Sequence, residues 1–154
     1  MTSAYLGIDI AKSTFHVALL IDGCTADRNF PNTAKGFAKL ATWLNNHHVQ
    51  GLHACMEATG RYGDNLAHWL FNQGHLVSVV NPAAMHHYAS VRLHRNKTDK
   101  VDAATIAEYC QRERPRAWVP PPPEVADLQA FWRLRCKIVK TRDADRNRLA
   151  AGLP

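Results

Sequence analysis

Apolar positions fall in three rhythms along this chain. Residues 4–11, AYLGIDIA, are apolar on both sides of one acid, which reads as a central strand buried on both faces. Residues 14–21, TFHVALLI, make a second strand. Asp22-Gly23 is a strong hairpin-turn signal, and residues 24–30 return as a third strand of an antiparallel meander. The rhythm then becomes helical: Asn32-Thr33 caps a helix to about Asn46, with Phe37, Leu40, Ala41 and Leu44 facing the core. Leu52 to Met56 is a short apolar strand. After the turn from Ala58 to Gly63, a second helix points Leu66, Trp69, Leu70 and Phe71 inward. Leu76 to Val80 is a fifth strand, apolar throughout. Asn81-Pro82 ends it and starts a short helix, with the proline at a permitted first-turn position. A further helix runs from Ala103 to Gln111.

The order β-β-β-α-β-α-β-α-α implies an α/β fold, a mixed sheet covered by helices, and ligands in such sheets gather at strand carboxyl ends. Pro120 to Pro123 is a rigid extended spacer. From Glu124 a helix carries Val125, Leu128, Phe131, Leu134 and Ile138 at helical spacing, and its later half is rich in Arg and Lys. Such a helix reads either as a connector or dimerising arm, or as an element that packs back on the domain. The expected division is residues 1–118, a linker at 119–123, and a basic connector or dimerisation helix at 124–154.

Composition narrows the partners. The 154 residues are 46% hydrophobic and 21% charged, enough for one globular domain with a real core. A net charge of +6 and a pI of about 9.4 point to polyanions. Cys24, Cys55, Cys110 and Cys136 show no CxxC spacing, and the chain has neither a signal peptide nor a long apolar run. They read as reduced thiols of a cytoplasmic protein with no membrane partner. The pairs His47-His48 and His86-His87 lack a second pair at zinc spacing.

The chemistry rests on four acids. Asp9 stands near the end of a buried strand, where an unpaired carboxylate is costly, and Glu57 follows the fourth strand. Asp99 and Asp102, three residues apart, project together from the first turn of a helix, where the dipole favours acids. Each has a plain reading: Asp9 caps a turn, Glu57 is an exposed strand end, and Asp99 and Asp102 are solvated behind a Thr98 cap. If the fourth strand pairs in parallel with the first, Asp9 and Glu57 lie side by side, and the helix bearing Asp99 and Asp102 can close over them. Four converging carboxylates repel unless hard cations neutralise them, and oxygen ligands select Mg2+ or Mn2+. Two ions about 3.5–4 Å apart can serve phosphodiester chemistry. Basic residues Arg92, Arg95, Lys97 and Lys100 flank the pair, and with Lys12 and Arg61 they are the candidate phosphate contacts.

At these residues the chain resembles a known family. GIDIAKSTFHV with Asp9, MEATGRYG with Glu57, and RNKTDKVDA with Asp99 and Asp102 look like the DEDD signature of insertion-sequence transposases and related site-specific DNA invertases, whose N-terminal domain is RuvC-like. The resemblance runs from residue 4 to about 118, and the helix after the prolines fits it too. It implies an RNase H-like (RuvC-like) five-stranded mixed sheet with strands 1–3 antiparallel and helices on both faces. It also implies divalent-metal dependence, DNA strand cleavage and exchange, and Asp9, Glu57, Asp99 and Asp102 as the acidic tetrad. A bacterial, nucleoid-associated protein, a homodimer or higher oligomer, and in some members a structured guide RNA, come with it. Members are about twice this length and have a C-terminal domain supplying a serine nucleophile. Nothing here matches that domain, so the expectation is an incomplete enzyme.

Two rivals stand beside it. GIDIAKST also looks like the first phosphate hairpin of the actin and sugar-kinase fold, which needs a second domain and another phosphate loop. Alternatively, the acids are structural and the chain is a non-catalytic nucleic-acid-binding or assembly module.

Overall fold

Alternation along the first strands sends successive side chains to opposite faces of one sheet, and the two faces are covered by different helices. The computed structural model describes residues 4–58, 61–91 and 99–152, the side chains of Val91, Asp99, Lys100 and Val101 excepted. In chain order come β1 (Ala4–Ile10), β2 (Thr14–Ile21), β3 (Cys24–Pro31), α1 (Ala34–Asn46), β4 (Leu52–Glu57), α2 (Asp64–Asn72), β5 (Leu76–Val80), α3 (Pro82–Val91), α4 (Asp99–Glu113) and α5 (Pro123–Ala150). The chain divides into two units, Met1–Val119 and Pro120–Pro154.

The first unit holds a five-stranded sheet in the order β3-β2-β1-β4-β5. β1, β2 and β3 are successively antiparallel, and β4 and β5 run parallel to β1. That order and those directions are the RNase H-like sheet expected from the sequence. The hairpin between β2 and β3 turns on Asp22 (φ 48°) and Gly23 (φ 81°), the two positive angles that a two-residue turn matched to strand twist requires.

One face carries Leu6, Ile8, Ile10, Phe15, Val17 and Met56 against α1 and α2. Thr33 caps α1, its Oγ1 accepting from the N–H of Gly36 at 3.3 Å. Phe37, Leu40 and Leu44 point inward as expected, but Ala41 is only half-buried and Trp43 takes a buried place that the stripe had not included. In α2, Leu66, Ala67 and Leu70 are buried, whereas Phe71, expected inward, is exposed near the helix end with Trp118 edge-on at 6.2 Å.

The other face carries Tyr5, Gly7, Ala18, Leu20, Cys55 and Val80, and α4 lies across it with Ala103, Ile106, Ala107 and Cys110 inward. Gly7 decides how close it comes: a Cβ there would overlap the carbonyl oxygen of Ala103 and the amide nitrogen of Ala107, so helix and strand meet backbone to backbone. Past α4, which ends on Arg114 in the left-handed region (φ 45°), the chain returns along β5. The N–H of Trp118 donates to the Val77 carbonyl at 2.7 Å, covering a sheet edge.

The second unit is essentially α5, a helix of 28 residues. None of its residues is buried, and Leu128, Phe131, Trp132, Leu134 and Ile138 are all exposed. Among the described residues no helix is long and apolar enough to cross a membrane.

Candidate functional site

Strand register sets the first two acids. The β1–β4 ladder pairs Gly7 with Cys55 and Ile8 with Met56, so Asp9 and Glu57 are the next positions on neighbouring strands. Partners across a parallel ladder share a face: Ile8 and Met56 belong to the α1/α2 side, so Asp9 and Glu57 turn to the α4 side. Their backbones stand about 5 Å apart, the spacing of adjacent strands. Both residues are half-buried. The N–H of Ala58 donates to the Val80 carbonyl at 2.8 Å and carries the pairing of β4 one residue beyond Glu57.

Contacts of α4 give its direction. Cys110 Sγ donates to the carbonyl of His53, whose strand partner is Tyr5, while Ala103 and Ala107 lie against Gly7. Going back along α4 therefore means going forward along β1. The first turn, from Asp99 to Asp102, comes to the end of the sheet where Asp9 and Glu57 stand. Asp102 is half-buried; the side chain of Asp99 lies outside the described residues. Among the described residues, no three His, Cys, Asp or Glu side chains are gathered closely enough to hold a metal ion. What is described is a pair of oxygen donors on adjacent strand ends, a donor set that suits a hard divalent cation rather than zinc or copper.

Of the basic candidates, Lys12 is exposed in the β1–β2 turn and Arg61 is exposed between β4 and α2. Arg92, Arg95, Lys97 and the Lys100 side chain, like the Thr98 cap, lie outside the described residues. Two neighbours escaped the reading of the sequence. His16 is the cross-strand partner of Asp9, on the same face, with Nε2 3.3 Å from Oδ2 of Asp27. Asn32, expected to share the cap of α1, instead bonds with its side-chain amide to Ala11 and Tyr62. Alternation along β2 could have put His16 beside Asp9, but Asn32 bonds residues distant in sequence and left no local signal.

A second polar cluster sits at the other end of β4. Ser78 Oγ donates its single hydrogen to the carbonyls of Pro115 and Arg116, both at 2.9 Å, which leaves His53 Nε2 to donate to Ser78 Oγ at 2.8 Å. Burial holds the His53 imidazole below its ordinary value. A hydrogen bond to the Cys55 thiol, then burial, push the Cys110 thiol up, which makes it an inert core group.

Residues 6–154 match the DEDD transposase family of IS110 type, and the chain belongs to that transposase family. Two pilin gene-inverting proteins, from Moraxella lacunata and Moraxella bovis, are each 39% identical to it over 137 residues, 88% of this chain and 42% of theirs. The chain thus spans about two-fifths of the length of these curated relatives. Among solved structures, the fowlpox virus Holliday junction resolvase aligns at a TM-score of 0.46 and 12% identity, over 74% of this chain and 97% of its own. Its complex with substrate Holliday junction DNA aligns at 0.45 and 12%, over 75% and 100%. Both likenesses are weak, and the fold stands on the strand order and directions.

Proposed function

We propose that this chain is the acid-bearing domain of a DNA transposase or invertase, with Asp9, Glu57, Asp99 and Asp102 as its acidic tetrad. The observation that supports the reading is the register that makes Asp9 and Glu57 neighbours on the face across which α4 runs. In this reading the tetrad holds Mg2+ or Mn2+, two ions in all; such ions, when bound, activate the attacking oxygen and stabilise the leaving one in phosphodiester cleavage. The chain's own work is to hold the carboxylates on three rigid elements and to grip the DNA backbone. Lys12, Arg61, Arg92, Arg95, Lys97 and Lys100 make the phosphate contacts, which set position and affinity rather than sequence preference. Residues 1–118 carry the site, 119–123 link, and the exposed apolar residues of α5 support assembly into a homodimer or higher oligomer. A structured guide RNA belongs to the same reading as a second polyanionic partner. Cleavage and exchange of strands are proposed of the whole protein, since the chain covers 42% of its relatives; metal and nucleic-acid binding are proposed of this part.

The test is a calorimetric Mn2+ titration of the chain and of its Glu57→Gln and Asp99→Asn variants, without nucleic acid. The parent binds, and both variants lose affinity by about tenfold or more, because acids far apart in sequence share one site. Affinity that is the same in all three proteins removes the tetrad, and the acids are then structural parts of a binding module.

A further inference from the structure

We propose that Asn32 is a positioning residue for a phosphate-holding rim formed by Lys12 and Arg61. The inference rests on reading those two cations as nucleic-acid contacts. Asn32 makes three bonds that converge on them. Its Nδ2 donates to the carbonyl of Ala11 at 3.2 Å and to that of Tyr62 at 2.9 Å. Its backbone N–H donates to the carbonyl of Ser13 at 2.8 Å. Lys12 therefore sits between two carbonyls that Asn32 holds, and Arg61 directly precedes the third. Lys12 follows Asp9 by three residues and Arg61 follows Glu57 by four, so the same residue ties together the two loops that leave the acid-bearing strand ends.

The chemistry accounts for asparagine at this position. A primary amide carries two N–H hydrogens at a fixed angle, and here each has its own carbonyl. Serine offers one hydrogen, and aspartate offers none and would set a negative charge against two carbonyl oxygens. Asn32 is itself anchored, since the next residue, Thr33, caps α1. Residue 63 lies close to the strand ends: a Cβ on Gly63 would stand 3.0 Å from Ile10 Cδ1 and 3.4 Å from Met56 Sδ, both far ends of flexible side chains. Lys12 and Arg61 are both exposed, and among the described residues neither has a carboxylate partner. Two exposed cations on loops clamped to one amide are a preorganised grip for a phosphate backbone, and the clamp sets their separation.

The experiment measures binding of a fluorescently labelled DNA duplex across a salt series. The proteins are the parent, Lys12→Ala, Arg61→Ala, Asn32→Ala, and Asn32→Leu, which fills the amide's volume without a donor or a charge. Each is also combined with the cation variants, and thermal melts check the fold. Losing either cation lowers the salt slope by about one phosphate contact. Both Asn32 variants lower it by one to two contacts with little change in melting temperature, and removing a cation from them adds much less than it does in the parent. If the cation variants flatten the slope but the Asn32 variants keep the parent's slope and add independently, Asn32 only braces the loops and the proposal falls while the nucleic-acid reading stands. If neither cation variant alters the slope, the proposal and the reading of Lys12 and Arg61 fall together.

Discussion

The two faces of the sheet are packed by opposite means. On the α1/α2 side, distance is set by large side chains: Phe15 packs on Phe30 and Phe37 at ring separations of 5.6 and 5.9 Å, and Trp43 and Trp69 extend the cluster. On the α4 side the contact is between Gly7, Ala103 and Ala107, with almost no side chain in between. A thick apolar layer contributes most of the burial, and its side chains can readjust when one is trimmed. A backbone-to-backbone contact has no such slack, because any added atom must move a whole helix. The acids lie on the unyielding side. The face that contributes less to stability is therefore the one that holds the geometry of the site.

This contrast predicts that two substitutions that both destabilise the domain differ in what they do to metal affinity. Leu40→Ala, in the middle of α1 on the thick side, removes a fully buried side chain and costs about 2–5 kcal/mol. Below its melting transition it keeps the parent's Mn2+ affinity in calorimetry. Gly7→Ala adds one methyl group, but the overlap is with backbone atoms of α4, so its relief must move the helix and costs about 3 kcal/mol or more by urea denaturation. That movement carries Asp102 away from Asp9 and Glu57, so Mn2+ affinity measured below the melting transition falls by about tenfold or more. Equal losses of affinity in the two variants would mean that α4 is no more exacting than α1, and the contrast between the faces would be broken.

Much of this was legible in the sequence, and the gaps have physical reasons. The meander was readable because Asp22-Gly23 satisfies a turn that demands two positive φ angles. The helical stripe of α1 was readable at Phe37, Leu40 and Leu44, but a 3.6-residue period leaves the stripe's edges open. Trp43 and Ala41 exchanged roles there, because a large indole fills a gap between strand and helix that a methyl cannot. Phe71 failed for a related reason: it stands one residue, about 100° of helix turn, past the buried Leu70 and so off the inward face of α2. Asp9 and Glu57 could be named as strand-end acids, yet their adjacency depended on a parallel pairing of β1 with β4 that no local pattern encodes. Gly7 carried a readable signal that the apolar run obscured, since glycine inside a strand marks close backbone approach.

The smallest effect separates the two ends of the α4 face. His53 lies on the same face as the acids but at the opposite end of β4, where its Nε2 bonds Ser78 Oγ. Burial lowers its pKa from the ordinary 6.5, so the unfolded chain binds a proton more readily than the folded one. Stability from this group is complete above about pH 6.5 and declines as pH falls through that value toward the lower folded one. His75, also lowered by burial, acts in the same direction. Melting temperatures taken at about pH 7.5 and about pH 5.5 therefore fall on acidification, and the fall is smaller in His53→Gln, which cannot take up the proton. Mn2+ affinity of His53→Gln near neutral pH stays at the parent's value, because three residues of strand separate His53 from Glu57. A melting temperature indifferent to pH, or one that rises on acidification, would show that His53 is not held neutral. A loss of Mn2+ affinity in His53→Gln would mean that the two ends of the α4 face are one connected site.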